Sequence, residues 1–126
     1  MANDTSISDY WQRDGLGRAI LDALAAAGKR LDALTVDDLA PADHFHGGGL
    51  EATLRLARLA GLDKAPAGTR VLDVGGGIGG PARTLASRYG CRVTVIDLTD
   101  SFVRAAQLLT DRLSLGDRVT HRLGDA

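Results

Sequence analysis

Arg70-Val71-Leu72-Asp73-Val74-Gly75-Gly76-Gly77-Ile78-Gly79-Gly80-Pro81 reads as a short strand that runs into a glycine-rich turn and then into a helix. The strand is apolar around one acid, as expected of a strand in a parallel sheet. Pro81 suits the first helical position, where its missing N–H costs nothing. Ala82, Leu85, Ala86 and Tyr89 give that helix a buried face and Gly90 ends it. Arg92-Val93-Thr94-Val95-Ile96-Asp97 is a second strand, β-branched and closed by an acid. Asp100 or Ser101 is expected to cap a second helix, with Phe102, Ala106, Leu109 and Leu113 on one face and Gly116 as its stop. Arg118 to Leu123 reads as a third strand. The order β-α-β-α-β is the half-unit of a doubly wound parallel sheet, so the chain is expected to be α/β from residue 69 onward.

Residues 1–68 read as helix and loop, an N-terminal helical cap or lid segment. Leu16, Ile20, Leu24 and Ala27 recur at helical spacing, with Gly28 as a stop. Thr35 and Asp38 resemble a capping box that opens a short turn closed by Pro41. Asp43-His44-Phe45-His46-Gly47-Gly48-Gly49 reads as a polar loop, and Leu50, Leu54 and Ala57 mark the next helix, with Gly61 at its end. Asp63 to Gly68 is a breaker-rich linker.

The turn after the first strand has the chemistry of a ligand site. Glycines leave no Cβ, so a ligand can approach the backbone, and the helix behind offers free N–H groups. Asp97 follows Gly77 by 20 residues, at the end of the neighbouring strand, where a carboxylate can accept hydrogen bonds from ribose hydroxyls. Gly75, Gly77 and Gly80 fit G-x-G-x-x-G, the dinucleotide pattern; Gly75, Gly77 and Gly79 fit G-x-G-x-G, common in S-adenosylmethionine enzymes. Asp73 separates the two. An ionised carboxylate two residues before the turn is costly inside an apolar strand unless it has a partner. A pyrophosphate gains nothing from it, whereas a ligand's ammonium group does.

Val71 to Gly80 resembles the first motif of class I S-adenosylmethionine-dependent methyltransferases. Gly76 stands where many members carry Cys, a departure not expected to disturb contacts made by backbone. The resemblance implies that Asp73, Gly75, Gly77 and Gly79 bind the cofactor. Asp97-Leu98 is similar to the second motif, which implies that Asp97 holds the ribose and Leu98 packs near the adenine. Gly124-Asp125-Ala126 is similar to the third, which implies that Asp125 and Ala126 lie at the adenine. The stretch from Asp43 to Thr53 is similar to the segment ahead of the core in small-molecule methyltransferases of the methyltransferase-11, sarcosine and phosphoethanolamine types. The family implies a Rossmann-like core with a larger sheet. Residues 69–126 are therefore expected to be a truncated, partial core that binds S-adenosyl-L-methionine, with the substrate-holding parts absent. Such a half-sheet is expected to self-associate, as a homo-oligomer or strand-exchanged dimer through its open edge. The other readings are the NAD(P)-binding half of an oxidoreductase and a non-catalytic, self-associating nucleotide-binding fragment.

Composition narrows the partners. Of 126 residues, 44% are hydrophobic and 25% charged, the balance of a globular domain. Fifteen Lys and Arg against 16 Asp and Glu leave a formal charge of −1, which argues against nucleic acid or an anionic membrane as partner; the resemblance ahead of the core implies a small-molecule methyl acceptor. The lone Cys91 favours a cytoplasmic location and reads as a small buried residue. His44 and His46 lack the further ligands of a metal site, so no metal is expected. His46 is assigned to closing over cofactor or substrate, and Tyr10, beside Trp11, to a lid. No catalytic base is assigned.

Overall fold

A computed structural model of the chain describes residues 15–126; Tyr10 and Trp11 lie outside the described residues. The elements run α1 (Leu16–Ala26), α2 (Val36–Asp43), α3 (Gly49–Leu59), a 3-10 turn (Leu62–Lys64), β1 (Arg70–Val74), α4 (Gly80–Tyr89), β2 (Arg92–Asp97), α5 (Asp100–Arg112) and β3 (Val119–Leu123). The three strands form one parallel sheet in the order β1-β2-β3, with Asp73 opposite Val95 and Val95 opposite His121. The expected β-α-β-α-β half-unit is what forms.

Alternation along the strands sends Val71, Asp73, Val93, Val95, Val119 and His121 to one face. On that face Val93, Val95 and Val119 are fully buried against Ala82, Leu85 and Ala86 of α4, with Ala57 of α3 and Cys91 completing the cluster. Each buried valine contributes about 1.5 kcal/mol or more. The opposite face is open at β1, the sheet's edge among the described residues, where Leu72 and Val74 remain 59% and 57% exposed.

A second cluster joins Ile20 and Leu21 of α1, Leu39 of α2, Ile78 of the glycine turn, and Ala105, Ala106 and Leu109 of α5. The helical segment thus shares apolar packing with the glycine turn itself. Gly17 lets α1 cross α5 closely, since a Cβ there would stand 2.8 Å from Leu108 Cδ2 and 3.2 Å from Ala105 Cα.

Local expectations were partly corrected. Thr35 and Asp38 do form a capping box, with Thr35 Oγ1 accepting from the Asp38 N–H at 3.2 Å and Asp38 Oδ2 from the Thr35 N–H at 3.0 Å. Pro41 does not close that element: it sits inside α2, which continues to Asp43. A proline lacks only its own N–H and disturbs the carbonyl four residues back, which in an eight-residue helix falls in the first turn. Thr99, rather than Asp100 or Ser101, is the N-cap residue of α5. Ser114, rather than Gly116, takes the left-handed position after α5 at φ 57°. Paired backbone bonds, Ser114 N–H to Asp111 O and Leu115 N–H to Thr110 O, both 3.0 Å, offset that conformation.

Candidate functional site

A cavity of about 680 Å³ opens over the glycine turn, between α3, β1 and the start of α4. Its walls include Asp73, Gly75, Gly77, Asp97 and His46 of the expected site residues, together with Asp43, Phe45 and Phe102. Sequence positions as far apart as 46 and 97 therefore meet at one place.

The turn is held from below by β2. Gly75 donates its N–H to Ile96 O at 2.7 Å, and Gly77 donates its N–H to Asp97 Oδ2 at 2.9 Å. The other oxygen of Asp97, Oδ1, accepts from the Thr99 N–H at 2.9 Å. One carboxylate thus ties the glycine turn to the start of α5. Each oxygen keeps a second lone pair for a further donor.

Asp73 is differently placed. No hydrogen bond among the described residues engages its carboxylate. Burial, and then the Asp97 carboxylate nearby, raise its carboxyl above the ordinary value, with His46 opposing them. The carboxylate lies close against Gly76, where a Cβ would stand 2.9 Å from Asp73 Oδ2 and would also strike Val95. Glycine at position 76 therefore lets the turn sit down on β2 and Asp73.

Two aromatic rings cover the turn. Phe45 approaches Gly77, where an added Cβ would meet its ring at 3.5 Å, and it packs on Phe102 with centroids 5.6 Å apart. His46 pairs through Nδ1 with Gly47 O at 3.0 Å and through Nε2 with Thr53 Oγ1 at 2.9 Å. A carbonyl can only accept, so Nδ1 carries a proton.

The remaining expected residues lie elsewhere. Gly79 is buried beside the cavity; a Cβ there would stand 2.5 Å from His121 Cε1 and 3.1 Å from Arg83 Nη1. Leu98 is 69% exposed, and Asp125 and Ala126 are exposed at the chain's last residues; none of the three lines the cavity.

A buried polar chain beneath the turn was not anticipated. Arg83, fully buried, donates from Nη2 to Asp43 Oδ2 at 3.0 Å, and from Nη1 to Thr110 Oγ1 at 3.1 Å and Ala106 O at 3.3 Å. Asp43 Oδ1 accepts from His44 Nδ1 at 2.7 Å, and Thr110 Oγ1 lies 2.7 Å from His121 Nε2. Burial, and then Arg83, push His121 down to about 4, with Asp111 opposing. Asp43 was expected in a polar loop; instead it closes α2 and sits against the first residue of α4, where a Cβ on Gly80 would lie 2.6 Å from Asp43 Oδ1. One signal was present in the sequence: Arg83 falls among Ala82, Leu85 and Ala86 on a helix, and a cation there requires a buried partner.

No family model matches the chain. It is 51% identical over 55 residues to the 2-methyl-6-phytyl-1,4-hydroquinone methyltransferase of Synechocystis sp., across 44% of this chain and 17% of that protein. It is 41% identical over 70 residues to the sterol 24-C-methyltransferase of Eremothecium gossypii, across 56% of this chain and 18% of that protein. Among solved structures it resembles an S-adenosylmethionine-dependent methyltransferase from Geobacter sulfurreducens in complex with S-adenosyl-L-homocysteine. The TM-score is 0.56 at 31% identity, covering 77% of this chain and 39% of that one. The matched stretches thus span less than a fifth of the two curated relatives. A parallel β-α-β-α-β sheet, a glycine turn braced by the acid that ends β2, and these likenesses are consistent with a fragment of a class I S-adenosylmethionine-dependent methyltransferase.

Proposed function

We propose that the chain binds S-adenosylmethionine over the glycine turn, as part of an enzyme that transfers its methyl group to a small-molecule acceptor. The bound cofactor supplies a sulfonium methyl open to in-line displacement. Asp73 receives the ligand's ammonium group, the one charge that turns its uncompensated carboxylate into an asset. Asp97 takes the ribose hydroxyls on its free lone pairs while still bracing Gly77. Gly75 and Gly77 allow close approach of the ligand, and Gly79 lets the turn seat on its support. Leu98, Asp125 and Ala126 serve the adenine end. Phe45 and His46, with the segment before residue 69, cover the site and exclude water, which strengthens each polar contact inside.

The observation that carries this reading is the pair of acids beside the turn: Asp73, whose carboxylate no hydrogen bond among the described residues engages, and Asp97 both line the cavity. A dinucleotide would bring its pyrophosphate to the start of α4, beside the uncompensated carboxylate of Asp73. An ammonium- and sulfonium-bearing ligand meets the opposite situation. Calorimetric titration with S-adenosylhomocysteine and with NAD tests it. Binding of the first and not the second is expected, and binding of NAD alone overturns the reading.

No helix among the described residues is long and apolar enough to cross a membrane. The unpaired edge of β1, with Leu72 and Val74 uncovered, supports association through that edge as a homo-oligomer or strand-exchanged dimer. Size-exclusion chromatography with light scattering checks this, and a monodisperse monomer would contradict it.

A further inference from the structure

We propose that Arg83 is a positioning residue that fixes the loop of residues 44–48 over the glycine turn, a role that rests on reading the cavity as the cofactor site. Arg83 stands at the fourth residue of α4, behind the turn, and is fully buried. It faces away from the cavity, which it does not line. Its guanidinium reaches two elements at once: α5, through Ala106 O and Thr110 Oγ1, and the end of α2, through Asp43 Oδ2. Asp43 is the last residue before His44-Phe45-His46, so the point where Arg83 grips the chain sets where that loop starts. From there the loop lays Phe45 against Gly77 and Phe102 and puts His46 in the cavity wall.

The fit leaves little freedom. Gly80 could not carry a Cβ without meeting Asp43, and Gly79 could not without meeting Arg83 and His121. The two last glycines of the run are thus shaped by this network, whereas Gly75 and Gly77 face the ligand. Asp43 also gains from its seat at the positive end of the α4 dipole. A turn and a covering loop locked to the same guanidinium move together, so the ligand meets them already assembled, which lowers the ordering cost of binding.

The test uses the full chain and S-adenosylhomocysteine in calorimetric titration. If the wild-type chain does not bind, the cofactor reading itself fails. Given wild-type binding, the informative variant is the double Asp43→Asn/Arg83→Met. Removing one charge of a buried pair strands the other, whereas removing both can leave stability nearly unchanged. The asparagine side chain keeps the size that Gly80 requires and the acceptor for His44. The double variant is expected to bind at least tenfold more weakly; unchanged affinity overturns the proposal. Thr35→Ala serves as control, because it weakens the far end of α2 without touching the pair. It should lower stability and leave affinity alone, and an equal loss of affinity there would reduce Arg83 to general support. Hydrogen exchange on the wild-type chain decides the matter should the double variant not fold. Ligand should slow exchange in residues 44–48 together with 75–79, and protection confined to 75–79 overturns the proposal.

Discussion

Asp97 Oδ2 accepts a hydrogen bond from the backbone N–H of Gly77 at 2.9 Å, which locks the end of β2 to the middle of the glycine turn. Asp73 lies in the same cavity but makes no such bond among the described residues, and its carboxyl is raised where it stands. The two acids of the sequence pattern therefore relate differently to the free protein: Asp97 is tied into the glycine turn and Asp73 is not.

Asp97→Asn is expected to destabilise the free protein. An amide offers one acceptor oxygen where the carboxylate serves both Gly77 and Thr99, and its NH2 group opposes an N–H donor. The loss should be about 1–3 kcal/mol, read from denaturant midpoints. Affinity for S-adenosylhomocysteine should fall as well.

Asp73→Asn should behave the other way, leaving stability unchanged or higher while affinity falls tenfold or more, about 1.4 kcal/mol. The pH dependence has a definite sign. A carboxyl raised in the folded state favours the fold when protonated, a contribution present at acid pH and lost as pH rises through the raised value. Ligand affinity is expected to run opposite, because acidification removes the charge proposed to receive the ammonium. Calorimetry across the acidic range, with Asp73→Asn as the flat reference, checks both.

Gly79→Ala and Gly75→Ala separate support from ligand contact. Both residues have positive φ, 84° and 71°, so each substitution costs about 1–2 kcal/mol of conformational strain. At Gly75 a Cβ meets nothing within 4 Å, but at Gly79 it collides with His121. Thermal melts should show the larger loss for Gly79→Ala. Titration of whichever variants remain folded should show the larger loss of affinity per unit of stability for Gly75→Ala.

His121 makes acid a liability. Its folded value, about 4, lies below the ordinary 6.5, so between those values the unfolded chain takes up a proton that the folded chain refuses. Its contribution to stability is complete above pH 6.5 and declines as pH falls toward 4. His121→Asn, compared with wild type by urea titration at about pH 7 and about pH 5, should reduce the stability lost on acidification. An equal loss in both proteins would remove His121 from the account.

The sheet was legible because alternation, β-branching and glycine punctuation are local, and a strand–glycine turn–helix needs only neighbours to form. Asp73 and Asp97 were legible because an acid at a strand's end or inside its apolar run is out of keeping with its surroundings. Pro41 misled the reading of α2, since breaker strength depends on where in a helix the missing N–H falls. Ser114 escaped it because the position after α5 is set by its backbone bonds rather than by a glycine.

Sequence alone determined the order of elements, the glycine turn and the two acids beside it. Only tertiary structure decided that Asp43, Arg83, Thr110 and His121 form one buried chain beneath that turn, and that Phe45 and His46 lie over it. Those residues come from four separate elements and the loop between α2 and α3. A buried charge finds its partner through packing in space, which no local pattern of neighbouring residues encodes.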